Sequence, residues 1–200
     1  MTDRGEEAPP AFRQAVAALA AARPRAEVSF APLPAPRRLA PFAHALGAAV
    51  AADGAGDEEE AADGRFVLLH DPAGDEGWRG EFRVVTLVRA GLEPELAADP
   101  LLPEVAWSWL TEALQGRGLA HRAASGTVTR AGSSFFGGLS DRPAHAELEL
   151  RASWTPVDAR DAGAHLLAWC DLLAQCAGLP PETAGPAVRT LPRRRGPRPA

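Results

Sequence analysis

The sequence predicts an α+β fold: an antiparallel sheet of about five to six strands with two or three helices packed on it. Three observations lead there. The strand-like stretches cluster rather than alternate with helices, which argues against a doubly wound nucleotide fold. Residues 144–154 alternate cleanly, with Ala146, Leu148, Leu150, Ala152 and Trp154 facing one way and His145, Glu147, Glu149, Arg151 and Ser153 the other. That is the pattern of a strand with one face in a core and one in water. Two stretches, 104–115 and 161–177, carry apolar stripes at helical spacing and end at glycine.

At the N-terminus, residues 1–9 are acidic, have no apolar signal core and are expected to be disordered. Residues 10–22 are Ala-rich, with Phe12, Val16 and Leu19 one helical turn apart, and Arg23-Pro24 stops the helix. AEVSF can form a short strand, and the alternating Pro32, Pro34 and Pro36 confine their segment to an edge strand or extended geometry. Residues 41–52 fit both periods; a strand is the reading preferred, because it can pair with the next one. DGAGDEEEAADG, residues 53–64, is expected to be a solvated acidic loop, since its acids lack calcium-loop spacing. Arg65 to His70 is a nearly all-apolar strand that needs cover on both faces. DPAGDEGWRG turns the chain. Glu81 to Ala90 is a strand with Phe82, Val84 and Val88 on one side, Val85 and Leu87 on the other.

Leu92 to Pro100 is a connection. The helix Glu104 to Gln115 carries Ala106, Trp109, Leu110 and Ala113 on one stripe, with Trp107 and Leu114 beside it. His121 to Arg130 is a strand of weak pattern, and GSSFFGGLSDRP links it to 144–154. Asp161 is placed to cap the last helix, whose stripe is Leu166, Trp169, Cys170, Leu173 and Ala177. Residues 10–180 are thus expected to form a single domain, and residues 181–200 an unfolded Arg/Pro-rich tail.

Composition narrows the function classes. Every basic residue is Arg, there is no Tyr, and the net charge is -5 with pI near 5.6. That argues against a broad nucleic-acid face. The exception is the tail, where Arg193, Arg194 and Arg195 with Arg189 and Arg198 would give weak, salt-sensitive binding. No uncharged apolar run is long enough to span a membrane. Cys170 and Cys176 fall on one helix with Cα atoms about 9 Å apart, too far for a disulfide. A reduced cytoplasmic setting is expected.

No reactive constellation assembles along the chain. The five His residues, 44, 70, 121, 145 and 165, lie on different elements, and no metal-ligand spacing occurs, so no metal and no cofactor are expected. Gly74, Gly77 and Gly80 precede a strand rather than a helix, so they do not make a phosphate loop. Ser133 and Ser134 lack a nucleophile elbow. Glu147, Glu149 and Arg151 share one strand face and read as a solvated charge ladder.

The polar candidates that remain are His70 and Asp71, leaving an apolar strand as a loop begins, and Trp78 with Arg79 in the Gly-flanked hairpin. The preferred reading of the first pair is structural, with Asp71 accepting turn amides and His70 closing the strand end. An exposed Trp78 would make a binding anchor. Trp107 and Trp109 point about 200° apart on a helix, so one can face the sheet while the other meets another helix or a partner. The candidate binding residues are therefore His70, Asp71, Trp78, Arg79 and Trp107. An interaction module docking another protein or itself is the leading expectation. An enzyme would need His70 and Asp71 to meet His121 or His145, and an RNA-associated accessory would rely on the tail.

The runs GRFVLLHDPAGDEGWRGEFRVVTLVRA, DPLLPEVAWSWLTEAL, GTVTR, AELELRASWTP and AHLLAWCDLL occur in that order between residues 64 and 173. Over residues 10–180 the chain resembles an actinobacterial family of unknown function, with HDPAG, PLLPEV-W-W-LTEAL and RASWTP as the specific stretches. The resemblance implies a cytoplasmic actinobacterial protein, and it implies no activity, cofactor or catalytic residue.

Overall fold

The structure is a computed structural model that describes residues 8–51 and 60–180. The chain runs α1 (Pro10–Ala21), β1 (Val28–Leu33), β2 (Phe42–Ala51), β3 (Glu60–Asp75), β4 (Gly80–Leu92), α2 (Pro94–Ala98), α3 (Leu102–Gly116), β5 (His121–Ser133), β6 (His145–Pro156) and α4 (Ala162–Cys176). The strands form one sheet of order β1-β2-β3-β4-β6-β5, antiparallel at every step. This is the α+β fold that the clustered strands predict. The expected disordered ends lie, apart from Ala8 and Pro9, outside the described residues, as do 53–59 of the acidic loop.

One face of the sheet carries the helices. Alternation sends Ala48, Val50, Ala62, Phe66, Leu68, Val84, Val88, Leu148, Leu150 and Trp154 to that side, where they join the buried residues of α1, α3 and α4. A buried Leu or Phe contributes roughly 1.5–3 kcal/mol relative to leaving it exposed, so this layer dominates the stability. Helix α4 lies between the sheet, α1 and α3, which is why it buries His165, Leu166, Ala168, Trp169, Cys170, Leu172, Leu173 and Ala174 almost all round. Helix α3 buries Leu102, Ala106, Leu110 and Leu114, spaced four residues apart on one stripe.

Two tryptophans come close to the sheet because glycine stands beneath them. A Cβ at Gly64 would sit 2.7 Å from Trp169 Cζ2 and 2.4 Å from the Leu87 carbonyl oxygen. A Cβ at Gly126 would sit 2.7 Å from Trp107 Cζ3 and 2.3 Å from the Arg151 carbonyl oxygen. The packing leaves Trp169 Nε1 buried without a hydrogen-bond partner among the described residues.

Three expectations need correction. Strand β3 starts at Glu60 rather than after residue 64; its acidic letters hide an inward pair, Ala62 and Gly64, that registers on Ala90 and Val88. The hairpin turn is also shorter than DPAGDEGWRG suggests, since β3 continues to Asp75 across a register shift after His70. Asp161 occupies the N-cap position of α4, but its side chain caps nothing there. Asp158 instead accepts from the Arg160 amide at 2.9 Å and closes the preceding 3-10 turn, Ala159–Asp161.

Candidate binding face

Among the described residues no helix packs on the opposite face of the sheet. The register fixes what it displays, row by row across the strands. One row reads Leu33, Ala45, Val67, Val85, Ser153 and Ser125. The next reads Ala31, Gly47, Arg65, Leu87, Arg151 and Thr127. The third reads Ser29, Ala49, Asp63, Arg89, Glu149 and Thr129. Along the strand direction the surface thus passes from apolar and hydroxylated, through basic, to mixed charge. At the first end Ala45, Val67 and Leu69 are buried as a second small cluster, covered by Leu33, Ala40, Ala43 and Trp78.

A depression of about 330 Å³ opens where the first two rows meet. Val67, Val85 and Leu87 form its apolar floor, and Arg65, Arg151, Ser125, Ser153 and Thr127 its polar lining; no carboxylate among the described residues lines it. A second depression of about 470 Å³ shares Arg65 and Leu87 with the first and continues toward Asp63, Glu60 and Arg89. The two form one groove across the sheet.

Arg83, two residues before Val85 on the same face of β4, is only 7% exposed. Its guanidinium donates to the Ala123 carbonyl at 2.9 Å, to Thr155 Oγ1 at 3.2 Å, to Ser153 Oγ at 2.7 Å and to Ser125 Oγ at 3.3 Å. All four acceptors are neutral, and no carboxylate pairs with Arg83 among the described residues. Burial pushes its pKa below the ordinary guanidinium range, while the Asp75 charge opposes that shift. The Ala123 carbonyl reaches it through a bulge: the β5–β6 register shifts between Arg122 and Ser125, and Ala123 takes φ 49, a left-handed conformation that costs free energy outside glycine.

The hydroxyls around Arg83 acquire a fixed sense. An oxygen accepting from a guanidinium still has its own proton to donate. Thr155 Oγ1 spends its proton on the Trp78 carbonyl at 2.5 Å, which ties the β3–β4 hairpin to β6. Ser125 Oγ and Ser153 Oγ are 3.5 Å apart, so at most one proton lies between them and at least one is turned outward. On the outer rows Glu149 takes Arg151 at 2.7 Å and Arg89 at 3.1 Å, and these contacts hold its carboxyl below the usual range. Arg65 is exposed and makes no ion pair among the described residues.

The family described as Protein of unknown function (DUF3000) matches residues 8–186. The chain belongs to this family. The DUF3000 match runs from the start of α1 through the end of α4, so both faces of the sheet fall inside it. No curated protein and no solved structure matches the chain.

The residues singled out from sequence go to three different places. His70 points to the helix side and is 1% exposed; its ring stacks on Phe82 at 4.1 Å and lies 5.9 Å from Phe12 and 6.0 Å from Phe42. Its Nδ1 is 3.2 Å from the Glu81 carbonyl oxygen. Asp71 accepts the Ala73 amide at 2.9 Å, an Asx turn. Trp78 is half-buried on the helix-free face, and Arg79 holds φ 58 at the hairpin tip, exposed. Trp107 faces inward over Gly126.

The histidines do not converge. His121 registers on Pro156 and His145 on Ser133, so they stand at opposite ends of β6, roughly 35 Å apart at strand spacing. His70 is separated from β5 by β4 and β6, about 14 Å at the usual distance between strands. His165 accepts from Trp154 Nε1 at 3.1 Å, and burial, then the nearby His121, push it down to about 4, so it is neutral at pH 7. Cys170 and Cys176 are free thiols, and burial pushes the Cys176 thiol up to about 12 and Cys170 higher still. Among the described residues no cluster of His, Cys, Asp or Glu could hold a metal ion, and no helix is long and apolar enough to cross a membrane.

Sequence reasoning missed Arg83, Ser125 and Ser153; the charge ladder it read on Glu149 and Arg151 is present, with Glu149 paired to both Arg151 and Arg89. One local signal existed for Arg83, which stands between Phe82 and Val84 inside an apolar strand. What makes it a site, two serines on β5 and β6, depends on a register that no single strand encodes.

Proposed function

We propose that this DUF3000 chain is a non-catalytic interaction module of the actinobacterial cytoplasm, and that it docks another protein on the helix-free face of its sheet. The observation that carries this reading is the groove over Val85 and Leu87. Half-buried apolar side chains stand there beside free and half-paired arginines, on the one side of the sheet that the helices leave uncovered. Surfaces of this make-up, an apolar centre with a polar rim rich in Arg, suit protein contacts. Trp78 borders the groove and extends its apolar edge. Support against a catalytic reading comes from the separation of the histidines and from thiols whose pKa values are raised by burial.

Photo-crosslinking in cells tests it. A benzophenone amino acid placed at Leu87 is expected to yield a discrete adduct that excess unlabelled chain competes away. The same probe at Glu112, exposed on α3, is expected to yield none. Equal adducts from both positions, or none from Leu87, contradict the proposal.

A further inference from the structure

The lining of the first depression says what chemistry its occupant has. Arg65 and Arg151 are donors only, as guanidinium groups carry no acceptor. Ser125 and Ser153 accept from Arg83, and at least one of them keeps an O–H to offer. The arginines here can only donate to whatever enters, and the hydroxyls of Ser125, Ser153 and Thr127 can donate as well. The protein as a whole is acidic, with net charge -5, yet no carboxylate among the described residues lines this spot, and the buried Arg83 guanidinium that holds its two serines hydrogen-bonds neutral groups. Holding that charge out of water among neutral acceptors is costly; the Asp75 charge offsets part of the cost, and an anion in the depression would add to that offset.

We infer that the depression receives a carboxylate from an acidic segment of a partner protein, an Asp or Glu side chain seated between Arg65 and Arg151 with flanking apolar side chains on Val85 and Leu87. The inference rests on the docking reading and adds the chemistry of the occupant. Arg83 is a positioning residue: it sets the sense of the Ser125 and Ser153 hydroxyls and touches no part of the occupant itself. The second depression, with Glu60 and Asp63, disfavours continuation of the acidic run, so the partner segment carries its acids at one end.

The test is an NMR titration of the full chain with a capped Leu-Glu-Leu-Glu-Leu peptide, its Leu-Gln-Leu-Gln-Leu counterpart and octanoate. The acidic peptide is expected to shift the Thr127 and Ser153 amides, with the Gln peptide binding about tenfold more weakly. Added salt is expected to narrow that difference. The double variant Arg65→Gln with Arg151→Gln, both exposed, is expected to keep the native urea midpoint and to bind the two peptides alike. Equal affinity of the Glu and Gln peptides for the native chain overturns the carboxylate inference while leaving docking intact if the Leu87 crosslink forms. Octanoate binding these amides more tightly than the acidic peptide overturns the choice of a protein segment in favour of a small organic acid. No shift from any probe, together with no Leu87 crosslink, removes both readings.

Discussion

The two faces of the sheet are made from the same strands by the same alternation, and they differ in how each spends its side chains. On the helix side Phe66, Leu68, Val84, Val88, Leu150 and Trp154 are essentially inaccessible, and glycines admit Trp169 and Trp107 to the backbone. On the other side the alternate positions carry Arg65, Val85, Leu87, Arg151 and Ser153, half-buried or exposed, around a buried guanidinium held by neutral acceptors. One face spends its apolar area on stability. The other leaves apolar side chains half-exposed beside arginines and hydroxyls, and the proposed docking rests on that arrangement. Substitutions on the two faces should therefore move different observables.

The largest effect is expected at the two glycines that point to opposite faces from neighbouring strands. Gly64→Ala puts a Cβ 2.4 Å from the Leu87 carbonyl and 2.7 Å from Trp169, where backbone cannot yield; a loss of about 3 kcal/mol is expected in urea unfolding. Gly47→Ala, on the helix-free side, meets only the Leu33 side chain at 3.2 Å and should cost under about 1 kcal/mol. Equal losses would erase the distinction between the faces.

Acidification is expected to have a comparable effect. His165 is held near 4 in the fold against an ordinary 6.5, so the unfolded chain binds a proton that the folded chain refuses. Stability from this group is complete above pH 6.5 and is lost as pH falls toward 4, by about 3 kcal/mol. His165→Gln, which keeps an acceptor for Trp154 Nε1, should flatten the dependence of the urea midpoint over that window.

Smaller stability effects are expected on the helix-free side. Arg83→Met removes a buried charge whose partners are neutral, and Ser125 and Ser153 can turn to water. Its cost in urea should stay near 1 kcal/mol or below, while discrimination between the Glu and Gln peptides falls. A large destabilisation with unchanged discrimination would make Arg83 a structural residue only. The smallest change is expected for Leu87→Ser, within about 0.5 kcal/mol of the native chain, because Leu87 has no helix above it.

Much of this division was legible in the sequence, and particular residues show why some of it was not. The strand 144–154 declared its buried face because Leu148, Leu150 and Trp154 alternate with charges, and the structure buries those three. Residues 42–51 fit two periods, and only pairing with β3 resolves them as a strand. Strand β5 reads weakly because it is an edge strand with most of its side chains in water. Strand β3 begins earlier than its acidic letters suggest, since Ala62 and Gly64 are too small to announce a core. For the site, His70 drew notice as a polar residue at a strand end, and the structure puts it among three phenylalanine rings. Arg83, Ser125 and Ser153 come together only through the order β4-β6-β5, a long-range fact that local periodicity does not contain.

The central claim is that partner contact belongs to the helix-free face, and capture of the Leu87-crosslinked partner by two charge variants tests it most directly. Leu87→Asp is expected to lose that partner while unfolding at the native urea concentration, and Glu112→Arg on α3 to retain it in full. Retention by Leu87→Asp, or loss confined to Glu112→Arg, would place the contact on the helices and contradict the account.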